Sequence, residues 1–202
     1  QKQVSLTGVG LHSGQAICLT LKPAPENSGI TFIRTDITGK DNVIPALWNN
    51  VVDTRLCTVV ANKAGASVGT IEHLMAALRG CGVDNAIIEI DGGEVPIMDG
   101  SSMPFIEMIE EAGFKNQAQP RKAIRVLKEV VVEKDGKTVR LSPASGSVFS
   151  GDIQFDHPSI GSQKFSTRLV NGDFRHDIAE ARTFGFLHEV EYLRANGLAL
   201  GG

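Results

Sequence analysis

The sequence predicts an α+β fold made of two domains of similar plan, and three observations support this prediction. Strand-like runs alternate with two helical patterns over residues 1–116. A polar stretch without periodicity, residues 115–122, is typical of a linker between domains. Strand patterning then resumes, so residues 117–202 form a second domain. We expect that domain to be incomplete, because the chain stops at Gly201 and Gly202 just after a helix-like stretch.

Hydrophobic spacing, together with the Gly, Pro and Asn residues that end each run, predicts the individual elements. In the first domain we expect strands at residues 16–22, 29–34, 57–61 and 84–91, and helices at 70–80 and 102–111. In the second we expect strands at residues 124–132, 139–142 and 148–155, and helices at 173–182 and 187–194. Thr70 is the expected N-cap of the first helix, and Asp99 or Ser102 that of the second.

Composition excludes several classes of function. The net charge of the 202 residues is -3, so the chain lacks the basic surface of a nucleic-acid-binding protein. No apolar run approaches the roughly 18 residues of a transmembrane segment, and the first residues lack the apolar stretch of a signal peptide. The cysteines, Cys18, Cys57 and Cys81, are odd in number and widely spaced. They fit neither a disulfide framework nor a structural zinc knuckle, and suit a reducing cytoplasm.

The start of the first helix carries the most informative pair of residues, Glu72 and His73. The apolar residues around them recur at the spacing of one buried helical face, and the pair falls outside that face, next to Ala76 and Ala77. Hydrolytic zinc sites use an imidazole as a ligand and a nearby carboxylate that takes a proton from water. The residue four positions after His73 is Ala77, so this helix offers no second ligand of the zincin type. An exposed Glu-His pair without a function is the alternative.

Two other segments carry candidate chemistry. The glycine-rich residues 8–14 could cradle a phosphate through backbone N–H groups, as in a phosphotransferase. No convincing strand precedes this loop and it contains no Lys, so a turn that presents His12 is favoured. In residues 181–187, the Thr183 hydroxyl could donate to a developing oxyanion. Phe184 and Leu187 could line an apolar channel, while Phe186 is expected in the core.

Six stretches of the chain, taken in order, resemble one family. They are residues 8–14, 54–58, 70–74, 96–101, 182–186 and 197–202. Together they are similar to UDP-3-O-acyl-N-acetylglucosamine deacetylase, a family of zinc amidases of lipid A biosynthesis, and the resemblance spans essentially the whole chain. It implies two layered α/β sandwich domains, each with a sheet and two helices, that hold the active site between their helices.

The resemblance also implies roles for individual residues. The reaction would be hydrolysis of the 2-acetamido group of a UDP-linked, 3-O-acylated glucosamine, with Zn²⁺ as the cofactor. His73 matches a zinc ligand, and Glu72 matches the general base that activates the zinc-bound water. Thr183 matches the hydroxyl that stabilises the oxyanion. His12 matches a histidine near the metal that can help to bind a second, inhibitory zinc.

Substrate contacts and setting follow from the same resemblance. The residues expected to contact the acyl chain and sugar are Leu56, Cys57, Phe184 and Leu187. The partner is then a small acylated UDP-sugar, with no nucleic acid and no membrane span, and we expect a cytoplasmic monomer from a Gram-negative organism.

The remaining zinc ligands of the family, a His and an Asp one helical turn apart, follow the double glycine. No His-x-x-x-Asp pattern occurs in these 202 residues. We therefore expect further ligands beyond Gly202 and an inactive chain when it is made alone. The alternative is a non-catalytic fragment that binds a nucleotide sugar or acyl group, if the natural chain ends at Gly202.

Overall fold

The computed structural model describes residues 2–169 and 172–202 and has an α+β fold, as the sequence predicts. Its first half contains eight strands, a short 3-10 helix and two α-helices. In chain order these are β1 (Val4–Val9), β2 (Ala16–Pro23), β3 (Ile30–Arg34), β4 (Val43–Pro45), the 3-10 helix (Trp48–Asn50), β5 (Val51–Asp53), β6 (Val59–Ala61), β7 (Ser67–Val68), α1 (Glu72–Gly80), β8 (Ala86–Ile90) and α2 (Met103–Ala112).

A five-stranded sheet in the order β1-β2-β8-β3-β4 forms one layer of this half. Only the β3–β8 pair is parallel, and the other neighbours are antiparallel. Side chains alternate between the two faces of a strand, and the buried positions follow that period. In β2 these are Ile17, Leu19 and Leu21, and in β8 they are Ala86, Ile88 and Ile90.

Helices α1 and α2 form the second layer, pack against each other and join the sheet in one hydrophobic core. The α1 residues Leu74, Ala77 and Leu78 face this core. Five residues of α2 do the same: Phe105, Ile106, Met108, Ile109 and Ala112. Full burial of one Leu, Ile or Phe side chain stabilises the fold by about 1.5–3 kcal/mol relative to exposure, so the two helices depend on the sheet for their stability.

The prediction that Thr70 caps α1 is wrong. The cap position belongs to Ile71, which makes no side-chain capping hydrogen bond. The backbone of Thr70 is left-handed, with φ at 54°. Its hydroxyl donates to the buried carboxylate of Glu94 at 2.9 Å, and is therefore directed away from the first turn of the helix.

The second half contains two β-hairpins and two helices. Its elements are β9 (Val130–Lys134), β10 (Lys137–Leu141), β11 (Val148–Gln154), β12 (Ser162–Arg168), α3 (Asp173–Asp177) and α4 (Leu187–Ala195). β9 pairs only with β10, and β11 only with β12, among the strands described. The expected strand at 124–132 starts later because pairing begins at Val130, opposite Leu141. The expected helix at 173–182 is shorter and ends at Asp177.

The α3 segment packs onto the first half of the chain. Phe174 is buried within the common core. A Cβ added at Gly80, the last residue of α1, would overlap the Phe174 ring. Arg175 pairs with Glu110 of α2 at 2.9 Å. The absence of a side chain at Gly80 therefore creates the space into which α3 packs.

The predicted linker at 115–122 lies against the first half. The Gln117 side chain accepts a hydrogen bond from Asn85 at 2.7 Å. Arg121 donates to the Asp84 carboxylate at 2.8 Å. These contacts hold the segment in place, while the division into domains at residues 116 and 117 stays a prediction. None of the helices described is long and apolar enough to span a membrane.

We predict that G80A lowers the free energy of unfolding by about 1–3 kcal/mol, the usual cost of overpacking a filled site. In an F174A background the same substitution should be neutral or stabilising, because the obstructing ring is gone and Ala is the better helix former. Urea unfolding of the four proteins measures this cycle. An equal loss in both backgrounds would show that Phe174 does not fill the space above Gly80.

Candidate active site

The carboxylate of Glu72 is fixed by a backbone group from a neighbouring loop. Its Oε2 atom accepts a hydrogen bond from the Thr58 N–H at 3.0 Å, and the side chain is half-buried. Glu72 is also the acidic residue in the first turn of α1, where the helix dipole favours negative charge. The described residues donate no hydrogen bond to Oε1, so this oxygen is available to another proton donor.

His73 follows Glu72 on the same first turn and is also half-buried. Ala76 is half-buried nearby on the helix. The sequence predicted that Ala77 would also border the pair, but Ala77 is fully buried in the core. The buried face of α1 therefore differs slightly from the predicted one. The fully buried residues are Leu74, Ala77 and Leu78, whereas Met75 is only partly buried.

Ser102 joins the Glu72–His73 turn to the segment that carries Thr183. Its hydroxyl donates to the backbone carbonyl of His73 at 3.0 Å, and its N–H donates to the carbonyl of Ala179 at 3.0 Å. Ser102 occupies the N-cap position of α2 but makes no capping hydrogen bond with its side chain. The predicted cap is instead a bridge between α1 and residues 179–183.

Asp99 and Gly100 continue this bridge to Thr183. The Thr183 N–H donates to the Gly100 carbonyl at 2.9 Å. Asp99 accepts hydrogen bonds from the Ser101 hydroxyl at 2.7 Å and from the Ser101 N–H at 3.0 Å, so it does not cap α2 directly. The Ser101 hydroxyl lowers the pKa of Asp99 below its ordinary value, and the other Ser101 bond and the Arg182 charge add to this against the opposing effect of burial.

Beyond the exposed Thr183, the chain presents apolar side chains on the surface. Phe184 and Leu187 are 58% and 74% exposed. Phe184 makes edge-on contacts with the rings of Phe155 and Phe186, at centroid distances of 5.5 and 5.7 Å. Phe186 is half-exposed and stacks on His188, so its predicted place in the core is wrong. None of these rings belongs to the described hydrophobic core.

Leu56 and Cys57 lie in the loop between β5 and β6. Leu56 is 54% exposed, and Cys57 is half-buried with a free thiol. Cys57 directly precedes Thr58, whose N–H binds Glu72. The structure thus brings Leu56 and Cys57 to the Glu72 side of the site, whereas Phe184 and Leu187 belong to the Thr183 side.

His12 lies in a loop held by Glu94. Its backbone N–H donates to the Glu94 carboxylate at 3.0 Å, and the Ser13 N–H donates to the same carboxylate at 3.0 Å. Both ring nitrogens of His12 are buried without a hydrogen-bond partner among the described residues. An imidazole in this state retains its full capacity to bind a proton donor or a metal.

The described residues offer only part of a zinc donor set. A catalytic zinc usually has three protein ligands and an open position. Over residues 2–169 and 172–202 no group of three His, Cys, Asp or Glu side chains is close enough to hold a metal ion. Of the groups that a hydrolytic zinc site needs, the described residues offer His73 as one ligand and Glu72 as the base.

Sequence reasoning missed the positioning groups. Glu94 and Ser102 were assigned only to a turn and a cap, and Thr58 only to a polar loop. Each acts through a partner more than ten residues away in the chain. The one local signal was an acid between Gly93 and the apolar run Val95-Pro96-Ile97, which is buried.

We predict that Asp99 contributes stability that depends on pH. Its lowered pKa means that the carboxylate is favoured in the folded state, so its contribution is complete above the ordinary value of 3.8 and is lost as pH falls through the lower folded value. The difference in unfolding free energy between wild type and D99N should therefore be largest near about pH 7 and shrink below about pH 4. Urea unfolding across this range measures it, with E107Q on the exposed face of α2 as the control. A difference that stays constant with pH would contradict the assignment.

Comparison with known proteins identifies the family. A family model described as UDP-3-O-acyl N-acetylglycosamine deacetylase matches residues 1–202. A UDP-3-O-acyl-N-acetylglucosamine deacetylase from Syntrophotalea carbinolica is 50% identical over 100% of this chain and 64% of its own length. Proteins of the same name from Neisseria meningitidis serogroup C and Shewanella baltica are each 47% identical over 100% of this chain and 66% of their own length. The chain thus spans slightly less than two thirds of these relatives, and it belongs to the UDP-3-O-acyl-N-acetylglucosamine deacetylase family.

Proposed function

We propose that this chain supplies the general base, one zinc ligand and an oxyanion donor of an enzyme that hydrolyses the N-acetyl group of UDP-3-O-acyl-N-acetylglucosamine, the committed step of lipid A biosynthesis. One observation carries the proposal. Glu72 and His73 share the first turn of α1, and Ser102 connects this turn to the segment of Thr183. The relatives whose sequences match are named for this deacetylation.

Glu72 is the proposed general base. Water is a poor nucleophile at neutral pH, and a carboxylate within hydrogen-bond reach can take its proton as the oxygen attacks the amide carbon. The Thr58 N–H restrains Oε2, which leaves Oε1 for the water. Collapse of the tetrahedral intermediate breaks the C–N bond, and the proton passes to the amine that leaves, giving acetate and the free amino sugar.

His73 is the proposed zinc ligand in this chain. When bound, the metal would lower the pKa of its water and polarise the acyl oxygen. The imidazole of His73 lies beside the proposed base on the same helical turn, as that chemistry requires. We propose that the remaining ligands belong to the part of the protein outside these residues, since the matched relatives are longer than this chain. The unpartnered ring of His12 is the proposed ligand of a second, inhibitory zinc.

Thr183 is the proposed oxyanion donor. Its backbone is held by Gly100, and its side chain is exposed, so the hydroxyl can turn toward a developing negative charge. Four side chains would contact the acyl chain and sugar: Leu56, Cys57, Phe184 and Leu187. Three of these are exposed apolar groups, which a fatty acyl chain would cover favourably.

The setting is also a proposal. We propose a cytoplasmic, monomeric enzyme of a Gram-negative organism. Free thiols at Cys18, Cys57 and Cys81 support a reducing compartment.

We predict that E72Q in the complete protein keeps its zinc but lowers kcat by about 10²–10⁴, the usual loss when a general base is removed. The amide oxygen of Gln can still accept from the Thr58 N–H, so the geometry is preserved while the proton acceptor is lost. The assay is acetate release from UDP-3-O-acyl-N-acetylglucosamine, together with zinc per chain. E107Q, an exposed change on α2, is the matched control. Normal turnover by E72Q with zinc retained would remove Glu72 from the mechanism.

A further inference from the structure

Glu94 is a buried carboxylate on which two distant parts of the chain converge. The residue follows β8 and precedes α2 in the chain, and it is 7% exposed. It accepts hydrogen bonds from the His12 N–H at 3.0 Å, from the Ser13 N–H at 3.0 Å and from the Thr70 hydroxyl at 2.9 Å. A buried carboxylate needs such donors, so these partners are forced to meet at one point.

Thr70 is the partner that matters for the proposed catalytic turn. Its φ of 54° is strained for a β-branched residue, and such a conformation persists only where the surroundings hold it. The residue before it, Gly69, is fixed by backbone bonds to Gly93 and Val95 at 2.9 and 3.0 Å. The only side-chain hydrogen bond that Thr70 makes among the described residues goes to Glu94. Glu72 follows only two residues later.

We infer that Glu94 is a positioning residue of the proposed active site: through the Thr70 hydroxyl, it sets the direction in which α1 starts and so where Glu72 and His73 stand. The same carboxylate fixes the backbone of His12, so it also sets the distance between the His12 loop and α1. The inference rests on the proposed function for its catalytic consequence. Its geometric consequence, the fixed place of Glu72 against the Thr58 N–H, can be measured without any turnover.

Variants of Thr70 separate this role from simple stability. T70V removes the hydroxyl at nearly constant shape, and T70S keeps it. T70G relieves the left-handed strain, so it should fold readily, but it lacks the hydroxyl. A hydrogen bond to a charged group contributes enough that its loss should accelerate hydrogen exchange of the Thr58 amide about tenfold or more in T70V and T70G. T70S should exchange like the wild type, and the amides of Leu19 and Ile90 in the central sheet should be unchanged in all three.

The kinetic and coupling readouts complete the experiment. In the complete protein, T70V and T70G should lower kcat about tenfold with KM unchanged, and T70S should restore it. E94M, which keeps the side-chain length but removes both acceptor oxygens, should also accelerate Thr58 exchange. Adding T70V to it should give no further increase, because both changes break the same link. The control is E89Q, which alters a carboxylate on β8 that pairs with Lys22. It should change neither the Thr58 exchange rate nor kcat.

Either of two results with the Thr70 variants alone would overturn the inference: wild-type Thr58 exchange in both T70V and T70G, or Thr58 exchange that is accelerated in T70S as much as in T70V. Additive effects of E94M and T70V would also overturn it, since Glu94 would then act by another route. If Thr58 exchange follows the predicted order but neither these variants nor E72Q alter turnover, the positioning stands and the proposed function fails.

Discussion

The need of buried polar groups for hydrogen-bond partners organises this structure. Most of the segment from Glu94 to Ser102, which connects β8 to α2, is buried, and it carries a carboxylate and two serine hydroxyls inside. Leaving such groups unpaired would cost about 1–3 kcal/mol each, and more for the charge. The partners come from the His12 loop, from Thr70 and His73 near the start of α1, and from Ala179. The candidate site lies where these distant parts of the chain meet.

The apolar periodicity of the sequence was sufficient to predict α1 and the position of Glu72 and His73 outside its buried face, because one helical face must enter the core. It was not sufficient to predict the conformation of Thr70. A Thr before a helix usually caps it, and only the carboxylate of Glu94, which is distant in sequence, explains why this one does not. The same holds for Ser102, whose hydroxyl donates to the His73 carbonyl in another helix instead of capping α2. Local rules fail here because the competing partner is non-local.

The second half of the chain illustrates a different limit. Alternating patterns correctly predicted strands near 139–142 and 148–155, but not that β9 through β11 would have every residue exposed. Alternating hydrophobic positions predict a buried face only where another layer covers the strand, and none of the described elements covers β9, β10 or β11. By contrast, α3 packs firmly on the first half of the chain, because the Phe174 ring fills the space above Gly80. The backbone of Thr183 is held by its hydrogen bond to Gly100.

The central claim is that Glu72, His73 and Thr183 border one metal-binding site. The most direct measurement is a titration of the complete, zinc-free, 15N-labelled protein with Co²⁺, with paramagnetic broadening followed residue by residue. We predict that the amides of Thr58, Glu72 and Thr183 broaden together at the lowest Co²⁺ concentrations. H73Q should abolish this effect and H176Q should not. Broadening that is centred on His157 and His188, or that survives H73Q, would contradict the account.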